Sequence, residues 1–168
     1  MSIRIAGIIT ESVVDGPGLR LVIFCQGCYH NCPGCHNPDT HDFYGGTDVK
    51  PEQLLRLIDE APLIRGVTFS GGEPMLQAEQ LLEVARYVKF IKKYDLVTYT
   101  GFVYEDLLRI AEENTAVSEL LQLTDWLIDG PYIEKERDIS IAFRGSRNQR
   151  IIDVQRSAVE KSTVVVEF

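Results

Sequence analysis

The sequence predicts an α/β protein, an open partial (βα) barrel with a mainly parallel sheet. Three observations carry that expectation. Short runs rich in β-branched and aromatic residues alternate with stretches whose apolar residues recur at helical spacing. The connections between them are short, which implies right-handed crossovers and parallel pairing. Glycines, cysteines and acids follow the strands, which is where parallel sheets bind ligands. Too few strand–helix units are present to close an eight-fold barrel.

The elements follow in order. "LRLVIFC" (19–25) reads as a strand ending at a cysteine-bearing loop. "KPEQLLRLIDEA" (50–61) puts Leu54, Leu55, Leu57 and Ile58 on one helical face, with Pro51 at a tolerated first-turn position. "GVTFS" (66–70) is a short buried strand. "QAEQLLEVARYVKFIKKY" (77–94) repeats Leu81, Val84, Ala85, Val88 and Ile91 as the apolar stripe of an amphipathic helix. "LVTYT" (96–100) is a strand, "YEDLLRIAEE" (104–113) a helix and "WLID" (126–129) a strand. The tail offers a weak strand at "RIIDV" and a stronger one at "STVVVEF". No repeat, low-complexity segment or linker interrupts the pattern, so the expectation is one domain spanning 1–168.

Composition excludes several classes. A net charge of −8 argues against a general nucleic-acid binder, which needs a basic footprint. "MSIRIAGIITESVVDG" lacks the apolar core of a signal peptide, and no run approaches the roughly 20 apolar residues of a membrane helix. A cytoplasmic location, with no membrane partner, is the expectation. Thiols stay reduced there, and clustered cysteines point to metal or redox chemistry rather than disulfides.

All four cysteines, Cys25, Cys28, Cys32 and Cys35, fall in or just before "GCYHNCPGCHNP" (27–38). A structural zinc site needs four tetrahedral ligands, and its two cysteine pairs normally sit on separate knuckles. A thioredoxin-like pair wants a helix N-terminus, whereas Gly27, Pro33 and Gly34 make this a loop. An iron–sulfur cluster fits best, because close cysteines in a Gly/Pro-rich loop wrap a cubane. The alternation Leu21, Ile23, Cys25 assigns Cys25 to a core position on the strand. Cys28, Cys32 and Cys35 remain as three metal ligands, leaving one iron with the open position that catalytic centres keep.

Cys28-x3-Cys32-x2-Cys35 resembles the cluster motif of the radical S-adenosylmethionine (SAM) superfamily, and "TFSGGEP" (68–74) resembles its Gly-Gly-Glu segment. The resemblance implies a shortened radical SAM core, a [4Fe–4S] cluster with three cysteine ligands, and SAM chelated at the free iron. Gly71 and Gly72 then let backbone approach the ligand without a β-carbon in the way. Glu73 offers a carboxylate to the methionyl ammonium.

"DGPGLRLVIFCQGCYHNCPGCHNP" (15–38) resembles the signature of the glycyl-radical activating enzymes within that superfamily. "TGFVYEDLL" (100–108), "LIDGPYIEKERD" (127–138) and "FRGSRNQRIID" (143–153) look like the activators of anaerobic (class III) ribonucleoside-triphosphate reductase. The implied activity is reductive cleavage of SAM to a 5′-deoxyadenosyl radical, which takes a hydrogen from a glycine of the reductase large subunit. The implied partners are that glycyl-radical protein and an external one-electron donor such as flavodoxin or ferredoxin. No side chain need act as acid, base or nucleophile, so no catalytic residue is expected beyond cofactor ligands. Many superfamily members carry an aromatic before the third cysteine, beside the adenine; Gly34 stands there here, and His36 is the candidate replacement surface. "RGSRNQR" (144–150), with Arg144, Arg147 and Arg150, is a candidate for docking the partner or holding the SAM carboxylate, against the alternative of a solvated turn. An activase of another glycyl-radical enzyme, a small biosynthetic radical SAM enzyme acting on a free metabolite, and a zinc-bearing interaction module are the competing readings.

Overall fold

A computed structural model describes residues 1–168. Eight strands form one sheet in the order β3-β1-β2-β4-β5-β6-β7-β8, and its two ends do not meet. The strands are β1 (Ile3–Ser12), β2 (Arg20–Cys25), β3 (Thr47–Val49), β4 (Gly66–Gly71), β5 (Asp95–Tyr99), β6 (Trp126–Asp129), β7 (Arg150–Asp153) and β8 (Val165–Val166). The helices are α1 (Pro51–Asp59), α2 (Ala78–Arg86), α3 (Tyr104–Glu113), α4 (Thr115–Leu123) and α5 (Val154–Glu160).

The centre, β2-β4-β5-β6, is parallel, as the strand–helix alternation requires. Both flanks are antiparallel, so the parallel character stops at β2 and β6. Antiparallel neighbours need no crossover helix, and the chain reaches β1, β3, β7 and β8 without a βαβ unit. α2 widens into a π-helical turn at Tyr87–Ile91 before β5. Asn114 ends α3 and caps α4, its side chain accepting from the Val117 N–H.

The alternation along β2 sorts its side chains as expected. Leu21, Ile23 and Cys25 join the main core with Val67, Phe69, Leu96, Leu127 and the inner faces of α1–α4. Each such buried aliphatic side chain stabilises the fold by about 1.5–3 kcal/mol. On the opposite face Val97, Ile128 and Ile151 form a small second cluster. Arg20 is fully buried. Its guanidinium donates to Thr68 Oγ1 at 2.8 Å, Pro17 O at 2.7 Å and Val67 O at 3.0 Å, and meets Asp95 Oδ1 at 2.5 Å. A buried charge persists only when paired in this way. Thr68 in turn donates to Asp15 O at 2.8 Å, so the arginine of Asp-Gly-Pro-Gly-x-Arg straps that loop to β4 and β5.

Candidate active site

The loops after β2, β4, β5 and β6 converge at the carboxyl edge of the parallel strands. They enclose a cleft of about 710 Å³, within the size range of small-molecule sites. Cys28, Cys32, Cys35 and His36 from the first loop, Gly71 and Gly72 from the second, Thr100 and Gly101 from the third and Gly130 from the fourth line it. Phe24, Tyr99 and Phe143 supply apolar wall.

The four cysteines divide sharply. Cys25 is 0% exposed, packs in the helix-side core, and does not line the cleft. Burial pushes its thiol well above the ordinary range. Cys28, Cys32 and Cys35 all face the cleft, with Cys32 and Cys35 partly exposed. Burial raises the Cys28 thiol to about 11. Cys35 N–H donates to Cys32 O at 3.1 Å, and the loop closes where Gly27 and Cys28 N–H bond Thr40 and His41 O and Gln26 Nε2 bonds Asp39 and Asp42 O.

The Gly-Gly-Glu segment also makes contacts that its sequence does not disclose. A Cβ on Gly72 would stand 2.5 Å from Gly27 O, and one on Gly71 would stand 2.7 Å from both Cys25 N and O. These glycines admit the backbone of the cysteine loop first, and Gly72 N–H and Glu73 N–H bond Cys25 O and Gly27 O at 2.7 and 2.8 Å. Glu73 is 0% exposed and lies behind the cleft wall rather than on it. Its carboxylate accepts from Met75 N–H at 3.0 Å, Gly101 N–H at 2.8 Å and Thr100 Oγ1 at 3.0 Å from each oxygen, and faces His30 Nε2 at 2.7 Å. The expected free carboxylate for an ammonium is therefore engaged by four protein partners. Thr100 and Gly101 open the "TGFVYEDLL" segment, whereas His30 has no place in the motif reading. His30 was the accessible signal, as a polar ring between two cysteines in a loop of glycine and proline.

Comparison with known proteins bears on this cleft. The family described as "4Fe-4S single cluster domain" matches residues 14–152. The anaerobic ribonucleoside-triphosphate reductase-activating protein of Haemophilus influenzae is 34% identical, covering 83% of this chain and 90% of that protein. The protein of the same name from Escherichia coli K12 is 30% identical, covering 82% and 90%. The pyruvate formate-lyase-activating enzyme of Clostridium pasteurianum is 35% identical over 86% of this chain, but over 59% of its own length. The chain belongs to the radical SAM activating enzymes. It is an enzyme of that type, and its cofactors are a [4Fe–4S] cluster and SAM.

The cleft of this radical SAM activase fits those cofactors. No three His, Cys, Asp or Glu side chains stand close enough to hold a single ion. A tetrahedral zinc site would bring its thiolates to about 3.8 Å of one another, whereas a cubane spreads its irons and takes one thiolate at each. Three thiols facing one roomy, partly apolar cleft leave space for a cubane.

The remaining expected residues fall as follows. His36 lies on the cleft wall 4.8 Å from the Tyr132 ring, so the loop after β6 supplies an aromatic that motif reading did not name. Gly34 is off the cleft, at φ +75° beneath Glu134, where its missing side chain serves the turn. The "RGSRNQR" segment is mostly scaffold. Arg150 donates to Asp129 Oδ2 at 2.6 Å and Glu105 Oε2 at 2.7 Å, ion pairs within the chain that its sequence does not disclose. Asn148 donates to Pro131 O and Gln149 to Gly130 O, tying the segment to the turn after β6. Arg147 stays exposed. Arg144 lines the cleft, but the tail reaches it: Glu167 grips its guanidinium through two contacts of 3.0 and 2.5 Å, while Phe168 packs on Trp126 and Phe143.

No helix is long and apolar enough to cross a membrane.

Proposed function

We propose that this chain activates an anaerobic ribonucleoside-triphosphate reductase by forming a glycyl radical on its large subunit. One observation carries the reading: three thiols ring a single cleft at the carboxyl ends of parallel strands, while the fourth cysteine faces the opposite side of the sheet. Cys28, Cys32 and Cys35 hold three irons of the cluster, and no fourth thiol reaches the cleft. When bound, the cluster and SAM supply a radical that removes one hydrogen atom from the glycine Cα, using an electron from an external donor such as flavodoxin or ferredoxin. The protein binds, orients and excludes water. The carboxylate of Glu73 braces the cysteine loop through His30 against the loop after β5 through Thr100 and Gly101. His36 and Tyr132 offer flat surface beside the third cysteine, and Gly71 and Gly72 present backbone to the cleft. The reading treats 1–168 as one radical SAM domain, places it in the cytoplasm, where reducing conditions protect the cluster, and calls on no nucleic acid or membrane.

Motif resemblance favours the reductase over other glycyl-radical partners: 100–108, 127–138 and 143–153 look like the reductase activators, and several relatives of that name match at 30–34% identity over 90% of their length. The 35% identity to the pyruvate formate-lyase-activating enzyme supports a second reading, activation of another glycyl-radical enzyme. One experiment separates them. The cluster-loaded protein, reduced anaerobically with SAM, is mixed in turn with a candidate reductase and a candidate formate-lyase-type enzyme, and electron paramagnetic resonance is recorded. A glycyl signal with the reductase is expected. A signal only with the other enzyme overturns the assignment in favour of the second reading.

A further inference from the structure

The cleft must admit a stretch of polypeptide if the reading above holds, and β1 offers a way to deliver one. β1 is ten residues long, but β3 pairs only with Ile3, Arg4 and Ile5 on its outer side. From Ala6 to Ser12 that edge meets no strand, a length of about 23 Å at the rise of a β-strand. A Cβ on Gly7 would meet nothing within 4 Å, and Ala6, Ile9, Thr10 and Glu11 are exposed. The register irregularities of β1 fall between Ile5 and Gly7 and between Ile9 and Ser12, leaving Gly7–Ile9 as regular ladder.

Sheets usually shorten, charge or cover such edges to prevent strand addition. The outer strands here follow that rule: β3 has three residues and β8 two. Ala6–Ser12 carries one charge, Glu11, and neither lysine nor proline, and its register irregularities leave Gly7–Ile9 regular between them. The edge runs directly into Val13 and Val14, 68% and 71% exposed, which line the cleft with Asp15. Ile139, 87% exposed, and Ile141 line it as well, from the loop after β6. The bare edge is thus continuous with an apolar lip of the site.

We propose that the Ala6–Ser12 edge of β1 receives an extended segment of the reductase beside its reactive glycine, by strand addition. The added main chain then passes Val13 and Val14 into the cleft. The inference rests on the proposed activity. The chemistry of the substrate favours this mode. A glycine has no side chain to grip, whereas main-chain hydrogen bonds to a sheet edge position a polypeptide through its backbone.

Residue-resolved amide hydrogen exchange on the cluster-loaded protein with SAM, with and without the candidate reductase, tests it. The expected result is at least tenfold slower exchange at those amides of 6–12 that do not bond β2, with 47–49 unchanged, under conditions where the glycyl radical forms. Radical formation with unchanged exchange over 6–12 overturns the strand addition and leaves the activity standing. Slowing in the protein alone that grows with its own concentration assigns the edge to a second copy and also overturns the proposal. Absence of any glycyl radical with the reductase removes the activity and the docking mode together.

Discussion

The loop after β4 and the loop after β2 face each other across the same cleft, yet they are held by different means. The β4 loop is prescribed from within. Its glycines admit backbone that a Cβ would strike, and its glutamate is fully buried among Met75, Thr100, Gly101 and His30. The β2 loop is pinned where its two ends meet, Gly27 and Cys28 N–H bonding Thr40 and His41 O and Gln26 Nε2 bonding Asp39 and Asp42 O, and it presents Cys32 and Cys35 partly exposed. Nothing in packing calls for three thiols there. A motif residue can therefore be engaged by the protein itself, as Glu73 is, or left partly open, as Cys32 and Cys35 are. The difference shows only in what surrounds it.

That contrast is open to attack at several points. The largest effect is expected for Gly72→Val. Its side chain would enter the space of Gly27 O, at a cost of about 3 kcal/mol of the kind overpacking imposes. Thermal unfolding should fall markedly, and cluster iron should be lost with SAM binding, because the cysteine loop is displaced. A stable Gly72→Val protein that keeps its iron and loses only SAM affinity would mean the glycine serves the ligand alone.

Glu73→Gln comes next. The amide would turn an N–H₂ group toward donors that now meet a carboxylate, and lost charge-assisted bonds cost about 1.5–3 kcal/mol. Denaturant unfolding of the cluster-free protein should show the loss. Unchanged stability with weakened SAM binding would return Glu73 to the ligand.

A smaller effect separates scaffold from surface in the Arg150 segment. Hydrogen bonds from Arg150 lower the Glu105 carboxyl to about 2 from its ordinary 4.5. A depressed acid stabilises the fold above its unfolded value, and that contribution fades as pH falls from about 4.5 toward 2. The stability gap between wild type and Glu105→Gln should therefore be present at pH 6 and shrink through that window. A gap independent of pH would show that the ion pair contributes nothing, as many exposed pairs do.

The parallel centre was legible because β2, β4, β5 and β6 are apolar runs bounded by glycine, proline or acids. β1 was not, since Ala6, Gly7, Thr10 and Glu11 break its alternation where one edge is bare. "STVVVEF" reads as a long strand but pairs only at Val165–Val166, and its end instead closes on Arg144. The cysteines were readable because spacing within one loop is local. The partners of Glu73 were not, since His30 and Thr100 lie 43 and 27 residues away and meet it only when two strand ends converge. The ion pairs of Arg150 were hidden for the same reason: Glu105 and Asp129 are 45 and 21 residues distant.

The central claim is that three cysteines, and not the fourth, hold the cluster. Iron content after anaerobic reconstitution of single variants tests it most directly. Folded Cys25→Ala should retain about four irons per chain and cleave SAM. Cys28→Ala, Cys32→Ala and Cys35→Ala should each lose the cluster, with the partly exposed Cys32 site leaving apoprotein stability within about 0.5 kcal/mol of wild type. Loss of iron in folded Cys25→Ala equal to that in Cys32→Ala would contradict the account.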